Sequence, residues 1–238
     1  MRGLLALLVG SLLVAFTTLT LDIFSTIRQD WIRWETPAIV PVHLTTTYGL
    51  FQRCDTSSYL PGVTTCRKFP QRGLDCGKKA ARVPAVAEAT ALSDDDGNDE
   101  EEGWGFCENW AVAGYAHQLS LIFGLANLVS LVLTLIGTAI VGRGFRTEKL
   151  RSGWKLVAGF MAMQALFMIV SSSIVAYERN NEQARFGPGA HLARAWTMTT
   201  VAYALNLVIV VALLFVRATG KLRIVPGEEG YESIGGRA

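Results

Sequence analysis

The chain has 238 residues, half of them hydrophobic and only 18% charged, with a mean hydropathy of +0.31. A soluble domain normally carries about a quarter charged residues. Here charge vanishes from four long windows and crowds between them, which excludes a single soluble globular domain, a disordered chain and a small disulfide scaffold. A net charge of +2 is too balanced for a nucleic-acid partner.

In chain order the windows are Gly3–Leu21, Leu119–Val141, Leu156–Ala176 and Thr197–Val216, none holding an Asp, Glu, Lys, Arg or His. Each meets the roughly 20 residues of helix that cross a bilayer. All are apolar all round, so the fold class is an all-α membrane protein of four transmembrane helices whose first partner is the lipid bilayer. The predicted segments are helix 1 in 1–24, an outer loop with a disulfide-pinned β-sheet over 25–71, and a charged, disordered insertion over 72–110. Helix 2 follows in 111–142, a basic cytoplasmic loop over 143–155, helix 3 in 156–176, a second outer loop over 177–196, helix 4 in 197–216 and a cytoplasmic tail over 217–238. The first window also suits a signal peptide, with Arg2 as its basic end. It runs beyond the usual apolar length and lacks a clean cleavage site, so retention as a helix is expected.

Orientation follows from short basic segments. Arg143, Arg146, Lys149, Arg151 and Lys155 precede the third window, and Arg217, Lys221 and Arg223 follow the fourth. Both therefore face the cytoplasm, with both termini, in a multi-pass protein of the plasma membrane.

All four cysteines, Cys54, Cys66, Cys76 and Cys107, fall in the first outer loop, an even count that reads as disulfides. Of three connectivities, Cys54–Cys66 is favoured. The β-branched and aromatic stretch Thr45–Phe51, the turn signal Pro61-Gly62 and the run Val63–Phe69 together predict a hairpin. Cys76 and Cys107 would then tether the insertion. No metal site is expected, because neither C-x-x-C nor nearby His spacing is present.

Trp31, then Gly49-Leu50-Phe51, then Cys54 and Cys66 resemble the W…G-L-W-x-x-C…C signature of the claudin and peripheral-myelin-protein superfamily, with Phe51 replacing the second Trp. The long acidic loop and Ala-rich helices are similar to the fungal four-span relatives, the PalI and eisosome-associated families. The resemblance implies a left-handed four-helix bundle topped by a small extracellular antiparallel sheet. It gives Trp31, Gly49, Leu50, Phe51, Cys54 and Cys66 the structural task of seating that sheet on the helix ends. The insertion and a C-terminus without a PDZ-capture motif argue against a paracellular pore.

The insertion is charge-segregated. Arg67, Lys68, Arg72, Lys78, Lys79 and Arg82 precede seven acids in nine positions, from Asp94 to Glu102. A solvated loop is expected there, since the spacing is not that of an EF-hand. The apolar windows carry only three strong amides, Asn127, Gln164 and Asn206, one on each of the last three helices. All fall near mid-membrane and read as interhelical polar contacts. His43, His117 and His191 read as surface or interface residues. Without catalytic motifs or ionisable groups at depth, no catalytic residue and no cofactor is expected. The function expected is a claudin-like membrane protein that organises membrane domains or cell-surface contacts by self-association or by binding another membrane protein. An accessory or sensor subunit of a channel, receptor or signalling complex, and an ion-conducting pore, are the alternatives.

Overall fold

The computed structural model describes residues 2–37, 43–58, 63–76, 105–140 and 146–218. The Pro61-Gly62 turn, the acidic block Asp94–Glu102, the basic residues Lys78, Lys79, Arg82 and Arg143, and the tail beyond 218 lie outside the described residues.

Four long helices, α1 (Arg2–Ile27), α3 (Phe106–Ile140), α4 (Arg146–Asn181) and α6 (Arg194–Ala218), account for most of the chain. Each contains a stretch long and apolar enough to cross a membrane, consistent with an integral multi-pass protein. Two single-turn helices, α2 (Arg72–Asp75) and α5 (Gln183–Phe186), punctuate the connections. The long helices outrun their uncharged windows at the sheet-bearing end. Helix α3 starts at Phe106 rather than 111 because that end packs into an aromatic core, and α4 continues to Asn181 rather than 176, where Asn109 donates to Glu178 and Arg179 donates to the Ala190 carbonyl.

Helices α3 and α4 form the heaviest pairing; α1 and α6 pack on each other, α1 also on α3 and α6 also on α4. The buried positions recur with a 3–4 alternation. On α3 they are Trp110, Ala113, His117, Ser120, Gly124, Asn127 and Leu131; on α4 they are Val157, Met161, Gln164, Met168, Ser171, Val175 and Glu178. This 3.5-residue period is the seam of a coiled-coil-like bundle. Its centre is built of small and polar residues, while large apolar side chains such as Phe16, Ile122, Leu166 and Val208 stay exposed. Such an inside-out distribution suits helices surrounded by lipid, where close approach of small residues drives association.

The five strands are β1 (Ile32–Glu35), β2 (Leu44–Tyr48), β3 (Gln52–Ser57), β4 (Thr64–Lys68) and β5 (His191–Leu192). They form one antiparallel sheet of order β4-β3-β2-β1-β5. The stretch Thr45–Phe51 is therefore not one strand. Gly49 N–H donates to the Gln52 carbonyl at 2.8 Å, closing a tight turn, and the chain re-enters the sheet as β3. Gly49 is required for close approach: a Cβ there would stand 3.0 Å from Gln29 Cα and 3.1 Å from the Gln52 oxygen. Strand β5 comes from the connection between α4 and α6, so both long connections at this end share one sheet. Pairing of Ile32 with Leu192 and Arg33 with His191 makes the join.

Candidate functional site

The sheet sits on a cluster of rings. Trp31, Tyr48, Phe69, Phe106, Trp110 and Phe186 are buried together with Leu50 and Val175. Their contacts are edge-on or tilted, Tyr48 against Phe186 at 5.0 Å and Phe69 against Trp110 at 5.3 Å, as ring quadrupoles favour. Four indole N–H groups find backbone carbonyls: Trp31 donates to Ser25 at 2.9 Å, Trp34 to Pro188 at 3.0 Å, Trp110 to Leu50 at 3.1 Å and Trp196 to Ser172 at 3.0 Å. Two of these bonds, from Trp31 and Trp110, tie loop to helix. The Trp34 ring packs so close to Gly187 that a Cβ there would lie 2.6 Å from the indole nitrogen, and the φ of +89° at Gly187 independently favours glycine.

Of the residues singled out from the sequence, Trp31 and Leu50 lie in this core and Gly49 at its turn. Phe51 does not: it is 42% exposed and lies over α3, its ring 3.1 Å from where a Cβ on Gly114 would stand. The remaining apolar payload comes from Trp110, Phe106 and Phe186, which belong to segments far from Phe51 in sequence.

Cys54 and Cys66 are bonded and face each other directly across β3 and β4. Cys76 is bonded to Cys107. Since Cys107 lies in the first turn of α3, partly buried against the aromatic core, this second bond staples α2 to the bundle and does more than hold an insertion. Arg67 of β4 supports it from the other side. Its guanidinium forms a fork on Asp75 at 2.6 and 2.7 Å, and the Gln71 N–H adds a third bond at 2.8 Å. Burial alone would raise the Asp75 carboxyl, but the Arg67 and Gln71 hydrogen bonds and the Arg67 charge outweigh it and hold it below the usual carboxylate range.

Below the rings lies a polar cluster. His117 is fully buried where α3 meets α1, an interface rather than a surface residue, and Asp22 is fully buried as well. Its Nε2 stands 3.2 Å from Asp22 Oδ1 and 3.1 Å from Ser25 Oγ. The Ser25 hydroxyl donates its one hydrogen to the Asp22 carbonyl at 2.8 Å, so towards the imidazole it is an acceptor and Nε2 carries hydrogen. Ser120 O–H faces two acceptors, Asp22 Oδ2 at 2.8 Å and the His117 carbonyl at 2.6 Å. Trp31 closes the cluster from above, edge-on to the His117 ring at 5.1 Å. Serine and carboxylate meet the same imidazole nitrogen here, whereas nucleophilic activation needs them on opposite nitrogens of an accessible ring. The arrangement is a clamp between α1 and α3. Neither residue lies in an obvious motif, but the 3–4 spacing of Trp110, Ala113, His117 and Ser120 was a signal that His117 faces inward.

Asn127, Gln164 and Asn206 are also fully buried; among the described residues no side-chain nitrogen or oxygen of Asn127 or Asn206 has a hydrogen-bond partner, while Gln164 lies beside the Asp22 carboxyl. The structure turns all three inward without bonding them to one another. Gln164 presses against Gly124, where a Cβ would meet its Nε2 at 2.6 Å.

Among the described residues no group of three or more His, Cys, Asp or Glu side chains could hold a metal ion. The geometry defines a four-helix membrane-type bundle capped at one end by a disulfide-bonded sheet. Comparison of the chain with family models and with curated proteins gives no match.

Proposed function

We propose that this is a claudin-like four-span plasma-membrane protein that organises membrane domains or cell-surface contacts through lateral and outer-face interactions. The observation that carries the reading is the single sheet built from both connections at one end of the bundle, pinned by two disulfides and indole bonds. A platform so constrained presents a fixed surface, and its β4 edge carries Arg67 and Lys68, basic residues that limit indiscriminate strand pairing. The disulfides support an outer location for the sheet, with the basic residues Arg143–Lys155 and the tail 217–238 in the cytoplasm. The 3.5-residue period of buried positions supports a left-handed bundle.

Purification in mild detergent tests the reading. Discrete self-oligomers, or a defined second membrane protein captured through the sheet, support it. Conductance from the pure protein in planar bilayers would replace it with a pore. A tag in the 77–104 stretch should be reachable on intact cells, and a tag after residue 218 only after permeabilisation.

A further inference from the structure

At the sheet-bearing end an open cavity of about 480 Å³ lies between the end of α1, strands β1 and β5, and the start of α6. Its upper wall is polar: Arg33 and His191, paired across β1 and β5, and Arg194 at the first position of α6, with Asp30 beside them. Its lower wall is apolar: Leu21 of α1, and Met198 and Val201 of α6, which share a helix face with Arg194 at i+4 and i+7. Val201 is 46% exposed on a segment long and apolar enough to span a bilayer, so this wall opens toward lipid.

The charges are incompletely used. Arg194 is exposed and has no ion pair among the described residues. Arg33 pairs with Glu35 at 2.6 Å, yet its buried Nε has no acceptor. Asp30 approaches Arg28 only to 3.7 Å, and its buried Oδ1 has no donor. One guanidinium without an anion, a second whose Nε lacks an acceptor, a carboxylate oxygen without a donor and an apolar wall beneath them, all among the described residues, match one class of molecule.

We propose that the cavity seats a glycerophospholipid whose headgroup carries a phosphate and a primary ammonium. The phosphate lies between Arg33 and Arg194 with His191 beside it, where guanidinium N–H groups suit phosphate oxygens. The ammonium donates to Asp30, and an acyl chain follows Leu21, Met198 and Val201. This site rests on the bilayer-spanning helices and is independent of the organising role.

The test is native mass spectrometry of the purified full chain, titrated with defined lipids in detergent. Phosphatidylethanolamine is expected to be retained more strongly than phosphatidylcholine or phosphatidylglycerol. Arg194→Gln should lower its retention about ten-fold, the worth of one charge-assisted hydrogen-bonded contact. Asp30→Asn should abolish the preference over phosphatidylcholine, and water-soluble glycerophosphoethanolamine should not displace the lipid. Equal retention by wild type and the Arg194→Gln chain, a preference for phosphatidylglycerol, or displacement by the soluble headgroup would each overturn the proposal. Thermal unfolding of both variants, expected to match wild type, keeps a folding defect from being read as lost binding.

Discussion

The start and the middle of α3 treat buried polarity differently. Near its start, the Trp110 indole has a carbonyl partner, His117 Nε2 meets Ser25 and Ser120 donates to Asp22, although His117 Nδ1 and Asp22 Oδ1 have no hydrogen-bond partner among the described residues. About 15 Å further along the helix, Asn127 is as deeply buried with neither amide atom bonded among the described residues. The first region is held mainly by directional bonds between elements distant in sequence. The second is specified by shape, through small residues such as Gly124 and Ala165 on the facing seams. The bundle is thus fixed from its sheet-bearing end and merely packed in its middle.

The sharpest way to break this contrast is at the rings. Trp110→Ala removes a fully buried indole and its bond to Leu50 and should cost roughly 3–5 kcal/mol, read as thermal unfolding in detergent. A loss below 1 kcal/mol would show that the sheet does not depend on its seat. Breaking the clamp should cost less. Asp22→Ala or His117→Ala alone strands a buried polar partner, at roughly 1–3 kcal/mol, whereas the double change to Leu should recover much of the loss. Additive losses would mean that the two side chains do not act as a pair.

Replacing Cys54 with Ser opens a loop of sequence separation 12 and should lower stability by about 3 kcal/mol in the chain-entropy account. Cys76→Ser should also be destabilising, because its bond reaches into α3. The middle of the bundle should respond with the opposite sign. Asn127→Leu or Asn206→Leu removes an unpaired buried amide and should leave stability unchanged or raise it by about 1 kcal/mol. A clear loss would show that these amides are bonded in the working protein and would erase the distinction between the two regions.

The smallest effect is one of pH. Asp75 is held below the usual carboxylate range, so its contribution is fully present above the unfolded value near pH 4 and is lost as pH falls through its lower folded value. Asp75→Asn should lower stability at neutral pH and flatten the acid limb of the unfolding profile. An unchanged acid limb would mean that Arg67 and Asp75 separate before the sheet unfolds.

How much of this was legible depends on the range of each interaction. The four helices announce themselves because lipid demands long uncharged runs, and the W…G-L-F-x-x-C string locates Trp31, Gly49 and Leu50. The ends of α3 and α4 were not legible, because charges such as Glu108 and Glu178 end an apolar window without ending a helix that packs against rings. Phe51 takes a place the motif did not specify, because Gly114 leaves room for its ring to lie along the outside of α3. The clamp joins residues 95 positions apart, 22 and 117, and only the spacing of their neighbours hinted at it. Strand β5 has two residues and no pattern of its own; it exists because β1 offers it an edge.

That dependence sets an order of events during synthesis. When β1 to β4 are complete, the free side of β1 still displays unpaired N–H and C=O groups, the kind of edge that recruits stray strands. Its partner is not made until residues 191–192, after α3 and α4 have both been synthesised. The half-finished sheet must therefore wait, open-edged, through the insertion of two helices. A pause, truncation or misinsertion between residues 76 and 190 would strand it in the state most prone to pair with another chain.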